Sequence, residues 1–343
     1  MRKMLLAATV AALSAGSVMA EDFESLGKFY LDARMDYQRE WTDGDAVDSN
    51  SGFVGKYFIL RADGNIAPGL NYSFRQRFNV ANKESSFFDS TDWVYVSYDF
   101  NEHWGLAGGK QEVYIGGWEY DTAPVDLYSC SVFWNNIPAF QMGAWATYSF
   151  SPADKLIFQV SESPFVHADN KNLYGYSVMW MGQHGAFTPL WSANMLEYLP
   201  GKFISYISLG SRFDISDKVQ FDLDLMNRAA DHQQFFFKDM SVVGNLKFNV
   251  SPKWNVFVKG SYDVNRASNG ADMVVHEGTE LTMLGGGVEF FPIRDHKQSL
   301  RLHANCFYSF GSNGNAGDVM QDKSLLASVG VKWTMNFLNL KRK

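Results

Sequence analysis

The chain has two cysteines in 343 residues, Cys130 and Cys306, too few for a disulfide framework, and the sequence leaves open whether they pair. It has seven histidines, no two of them at a ligand spacing such as i, i+2 along one strand. No metal site, cofactor site or Ser-His or Asp-His arrangement can be assigned from them. Its 30 Lys and Arg are outnumbered by 37 Asp and Glu, a formal charge of −7, which argues against nucleic acid as a partner. Past the N-terminus no apolar run approaches the roughly 20 residues of a membrane helix. Helical periodicity is nearly absent as well.

What is present begins with MRKMLLAATVAALSAGSVMA, residues 1–20. Arg2 and Lys3 precede an apolar run from Met4 to about Leu13, and Val18 and Ala20 sit at the −3 and −1 positions of a cleavage site. These are the marks of a secretory signal peptide. Its removal takes two positive charges and moves the formal charge from −7 to −9. Residue 21 is Glu rather than Cys, so a lipid anchor is not expected. Residues 21–343 read as one domain.

That domain is aromatic, with 28 Phe, 16 Tyr and 10 Trp, and it alternates with period two almost throughout. Strands are expected to start near Gly27, Phe53, Gly69, Thr91, His103, Ala139, Lys155, Leu173, Thr188, Phe203, Val219, Met240, Lys253, Leu281, Ser299 and Lys323, the last ending at Phe337. Short turns (65–68, 101–103, 151–154, 184–187, 215–218, 251–253, 293–297) alternate with mostly longer polar loops, LPGK at 199–202 being the short exception.

The face pattern says where such strands live. In LNYSFRQRFNV (70–80), Leu70, Tyr72, Phe74 and Phe78 are apolar while Arg75 and Arg77 are basic. Apolar faces elsewhere end in aromatics, such as Trp41, Tyr98 with Phe100, Tyr148 with Phe150, Trp254 with Tyr262, and Tyr308 with Phe310. Aromatics at strand ends suit two bilayer interfaces; a soluble core has no use for them there. The reading is all-β: a transmembrane antiparallel up-and-down barrel of about 16 strands, both termini periplasmic, in the outer membrane of a Gram-negative bacterium. A barrel of that size has a lumen too wide for its own strand side chains to fill.

The longest connection, Val113 to Pro138, has no Lys or Arg but carries Glu119, Asp121 and Asp126. It is longer than a turn needs and is expected to fold into the lumen. Basic lumen positions cluster on adjoining strands: Lys332 on the sixteenth, Arg34 on the first, Arg61 on the second, Arg75 and Arg77 on the third. They form a basic wall facing an acidic loop, a pairing that sets ion preference in a narrow passage. The alternative is that Asp32, Asp36 and Asp63 neutralise these arginines.

The segment DWVYVSYDFNEHWGLAGGKQEVYIGGWEYDTAPVDLY (92–128) resembles the phosphate-selective porin O and P family, especially its Bacteroidetes-type members. The resemblance implies a trimeric diffusion channel in contact with outer-membrane lipid and lipopolysaccharide. It also implies pore arginines, a feature Arg34, Arg61, Arg75 and Arg77 fit. The lysines of that family's constriction have no counterpart in this third loop, so phosphate specificity does not carry over. The leading expectation is therefore a non-enzymatic porin for ions and small hydrophilic solutes. A structural or adhesive barrel with a closed lumen is the alternative, and Phe257 and Phe291 on lumen faces speak for it. An outer-membrane barrel enzyme is a third reading.

Overall fold

The computed structural model describes residues 25–79, 86–166, 170–268, 270–293, 296–297 and 299–341. The expected signal peptide, residues 1–20, lies outside them. Sixteen long strands form one antiparallel sheet: β1 Ser25–Thr42, β2 Gly52–Ala67, β3 Leu70–Arg77, β4 Thr91–Asp99, β5 Trp104–Glu112, β6 Phe140–Ser151, β7 Asp154–Glu162, β8 Tyr174–Gly182, β9 Phe187–Leu199, β10 Lys202–Asp214, β11 Val219–Ala230, β12 Asp239–Ser251, β13 Trp254–Asn265, β14 Glu280–Phe290, β15 Leu300–Ser312 and β16 Ser324–Lys341. Each pairs with its neighbours in chain order, and β1 pairs with β16, with Arg34 opposite Lys332 and Gln38 opposite Ser328. The sheet thus closes on itself and has no free edge, as backbone at bilayer depth requires. A two-residue strand, Asp45–Ala46, folds back onto Trp41 and Thr42 within the first long loop.

Alternation along the strands is inside out relative to a soluble protein. On β15, Arg301, His303, Asn305 and Ser309 are buried at 4–7%, while Leu302, Tyr308 and Phe310 between and beyond them are 41–43% exposed. On β1, Met35 and Tyr37 face outward and Arg34, Asp36 and Gln38 inward. Ala33 is the exception: outward by alternation, yet 1% exposed, between its register partners Phe58 and Trp333. Two aromatic belts cap the outer surface. Trp104–Tyr148 and Trp254–Phe290, each 4.6 Å between centroids, stand at the short-turn end. Tyr37–Phe53 (5.1 Å) and Tyr308–Phe310 (6.0 Å) stand at the long-loop end. Both cysteines are free, Cys130 buried and Cys306 on the outer face.

Inside, the lumen is not empty. The third long loop, L3 (113–139), turns inward with two short helices, α1 Trp118–Asp121 and α2 Val132–Asn136. Toward the long-loop end, Val113, Ile115, Val132, Phe133 and Ile137 of L3 pack against Phe165, Val274, Val275 and Met320 of neighbouring loops and against lumen-facing Leu196, Ile204, Tyr206 and Leu281. This inner apolar core is the part of the barrel with an ordinary hydrophobic driving force.

Candidate pore lumen

L3 is seated residue by residue on polar groups of the wall. At its base the Val113 amide donates to Ala139 O (2.8 Å). Next, Gln159 Oε1 accepts from the Tyr114 amide and Ser192 Oγ from the Gly116 amide, both at 2.8 Å. Gly117 has φ +125° and lies against Gly210 so closely that a side chain at 210 would meet its backbone. Helix α1 starts there without a cap of its own, since Gly117 offers no side chain. Asp224 of β11 supplies the cap, taking the Trp118 amide at 2.7 Å and the Glu119 amide at 2.8 Å. Asp263 of β13 likewise accepts from the Val132 amide at 3.0 Å, at the start of α2.

The acidic groups of L3 then meet bases directly. Glu119 lies 2.6 Å from Lys259 and takes the Ser131 amide (3.0 Å). Asp126 lies 2.7 Å from Arg301 and 3.4 Å from Lys332. Burial opposes ionisation of Asp126, but Arg301 and Lys332 outweigh it and hold the carboxyl below its ordinary value. Asp121 faces the cavity, and burial lifts its carboxyl to about 6 against the pull of Arg212.

Tyr128 is the anchor of the L3 tip. Its ring stacks on Phe257 (5.0 Å, 7°), its hydroxyl donates to Glu289 (2.6 Å), and the guanidiniums of Arg34 and Arg301 lie 4.7 Å and 5.3 Å from its centroid. Arg34 also donates to Leu127 O. A ring clasped between two cations and an aromatic surface is a strong local fastening.

The basic wall is therefore ion-paired rather than set across a gap from L3. Arg34 pairs with Asp36 (2.6 Å), and Arg75 and Arg77 share Asp92 (2.6 and 2.5 Å). Arg61 stands 3.6 Å from Asp32 with its side chain 31% exposed. Asp63 instead accepts from Ser73 Oγ (2.5 Å). The physical reason is that charges at this depth of a crowded lumen need a partner. Arg61 and Arg77 keep the most water, at 31% and 26% of their side chains.

Sequence reasoning singled out neither Tyr128 nor Asp92, and it did not link Asp224, Lys259 or Arg301 to L3. It also assigned no acid–histidine pair. The fold makes such pairs, one of them fully buried: His303 Nε2 lies 2.9 Å from Asp36 Oδ1, two strands away across β16. Among the described residues the other ring nitrogen has no hydrogen-bond partner.

Below L3 lies a cavity of about 2130 Å³, lined from Trp118–Tyr128 down to residues of the short-turn end such as Asn101, Ala153 and Asp217. Its lining carries twelve Asp and Glu against seven Lys and Arg.

Solved structures share this barrel. The outer membrane channel DcaP of Acinetobacter baumannii is similar at 12% identity over 90% of this chain and 96% of its own, with a TM-score of 0.64. OmpT, an outer membrane protein of Vibrio cholerae, is similar at 11% identity over 90% and 97%, with a TM-score of 0.58. A mutant of the Rh. blastica porin is similar at 11% identity over 90% and 100%, with a TM-score of 0.53. At these identities the likeness concerns the fold. No curated protein sequence matches the chain. The family model described as phosphate-selective porin O and P matches residues 28–200, half of the chain. With its closed sixteen-strand barrel and inserted third loop, the chain belongs to the phosphate-selective porin O and P family and has the architecture of an outer-membrane channel.

Proposed function

We propose that this barrel is a passive diffusion channel for ions and small hydrophilic solutes, narrowed by L3 and leaning toward cations. The observation that carries the reading is the excess of carboxylates around the cavity below L3. An uneven lining of a confined, low-dielectric passage raises the local concentration of the opposite ion. The family's name points to anions, but L3 contributes no Lys, and Lys259, Arg301 and Lys332 already face L3 carboxylates. The residues we assign to selectivity are Arg34, Arg61, Arg75, Arg77 and Lys332 of the wall and Glu119, Asp121 and Asp126 of L3. Of these, Asp121, Arg61 and Arg77 are the ones we expect to act on ions directly. Short turns and both termini face the periplasm in this reading, and the protein works as a trimer surrounded by lipid and lipopolysaccharide; the trimer form of the V. cholerae outer membrane protein OmpT supports the trimer.

The test is the reversal potential of the reconstituted protein across a salt gradient. At pH 7 it is expected to be cation-leaning. Asp121, with its carboxyl near 6, loses its charge as pH falls from 7 to 5, so cation preference should decline over that interval. Asp126, held below its ordinary value, stays charged and does not contribute to the change. In Asp121→Asn the preference should be lower at pH 7 and less dependent on pH. An anion-leaning potential at pH 7 would reject the charge argument.

A permanently closed barrel is the second reading, favoured by the inner apolar core above L3. Absence of any current from folded barrels would support it.

A further inference from the structure

We propose that the end of β16 is a docking edge on the periplasmic side, which takes an extended acidic segment of another protein as an added strand. The inference rests on the orientation given above, with the short turns in the periplasm. Its first support is a step at the seam, below the closed part of the barrel. β15 begins at Leu300, opposite Trp333, and among the described residues the Thr334 amide makes the last backbone bond on that side, to Ser299 O (3.1 Å). β16 runs on to Lys341, well past the register row Phe290–Leu302–Val331 that carries the short-turn aromatic belt. Past Thr334 its strand partner is β1 alone, from Met335 opposite Leu31 to Lys341 opposite Ser25. Residues 335–341 are exposed without alternation, so neither face of this stretch is packed. Met335, Phe337, Leu338 and Leu340 among them are 42–51% exposed. A strand edge flanked by apolar side chains is a template for another strand; edges not meant for one carry charge, proline or a cover. Bonding direction alternates along a strand, so the Asn336 amide points the same way as that of Thr334, away from β1.

The second support is charge. The turns bordering the step and the paired strand ends (251–253, 291–299, 25–30 and 335–341) carry Lys28, Lys253, Arg294, Lys297 and Lys341 and a single acid, Asp295. The Phe291 amide donates to Lys253 O (2.9 Å), which joins the two turns. The short turns across the barrel (99–104, 151–154, 182–187 and 214–219) hold the reverse, five Asp and Glu to one Lys. A basic rim on a chain of net charge −7 selects an acidic partner. A backbone edge needs a polypeptide to fill it, which favours a protein over an anionic polysaccharide.

The probe is a fluorescent heptapeptide of alternating Glu and Val, read by anisotropy against the barrel in detergent micelles. It is expected to bind at least about tenfold more tightly than its Lys and Val counterpart, and salt should weaken it. Asn336→Pro removes the edge donor without touching the β1 ladder and should cost about tenfold, the upper range for one hydrogen bond. Lys297→Glu combined with Lys341→Glu leaves the backbone alone and should cost about threefold to tenfold. Both proteins are checked for folding by heat-modifiable gel mobility; if the proline variant fails there, the charge pair carries the test. No binding, equal binding of the two peptides, or unchanged binding by the folded variants would overturn the proposal. Binding of soluble peptidoglycan fragments in place of the peptide would also overturn it, by making the rim a cell-wall site. The orientation is read separately. Leu340→Cys in a cysteine-free background should react with a polymer-linked maleimide too large for the pore only after the outer membrane is breached. Reaction on intact cells would overturn the periplasmic orientation while leaving the peptide result standing.

Discussion

Arg228→Met is expected to destabilise the barrel by about 3–5 kcal/mol, the usual result of removing one partner from a buried ion cluster. Arg228 sits on β11 with no exposed surface. It lies 2.8 Å from Asp239 of β12 and 2.7 Å from Asp272 in the loop 266–279, and it donates to Ser241 (2.9 Å). Without the guanidinium, two carboxylates are left buried together. Loop 266–279 also loses its ionic tie to the wall, although Asp272 still accepts from the Val274 and Val275 amides (2.8 and 3.0 Å). The measurement is the urea midpoint in lipid vesicles. Adding Asp239→Asn and Asp272→Asn should recover most of the loss, because the uncompensated charge is then gone. An unchanged midpoint for Arg228→Met would mean that the apolar core alone secures this loop.

Gly330→Ala is expected to cost about 2–3 kcal/mol, near the upper range for forcing an extra methyl into a packed site. Gly330 is the register partner of both Asp36 on β1 and His303 on β15. The Asp36–His303 hydrogen bond spans β16 because residue 330 has no side chain. A Cβ there would overlap Asp36 Oδ1 and come within 2.7 Å of His303 Nε2. Displacing Asp36 also disturbs its pair with Arg34, and this lies at the seam where the barrel closes. Gly108→Ala is the matched control. Its Cβ would meet only Gly143 O, at 3.8 Å, so a change within about 0.5 kcal/mol is expected. The fraction of heat-modifiable barrel after refolding reads both. Equal losses for the two variants would show that general strand propensity, not the seam, decides the outcome.

The barrel itself was legible in the residues. Each of the sixteen strand starts expected from alternation and turn spacing lies within two residues of the observed one, from Gly27 against Ser25 to Lys323 against Ser324. Sheet periodicity is local, so a few neighbouring residues suffice to reveal it. One turn differed. Residues 65–68 read as a break, but β2 runs on to Ala67 because Asn65 still pairs with Asn71 and Ala67 with Leu70 across a bulge. The reversal falls at Pro68–Gly69, where Gly69 takes φ +72°. The length and acidity of L3 were equally local properties and pointed inward correctly.

The partners of those charges were not local. Glu119 finds Lys259, Asp126 finds Arg301 and Lys332, and Tyr128 finds Arg34, Phe257 and Glu289, all from distant parts of the chain or across the closing seam. Alternation states that a side chain faces the lumen; it does not state which of fifteen other strands it meets there. The sequence by itself determined the strands, their inward and outward faces and the identity of the long inner loop. Only the closed tertiary structure decided that the arginine wall is neutralised by Asp36, Asp92 and Asp32, and that L3 rests on the bases instead of facing them across water. The reason is physical: ring closure sets the distances between charges, and at a few ångströms in a crowded lumen opposite charges pair.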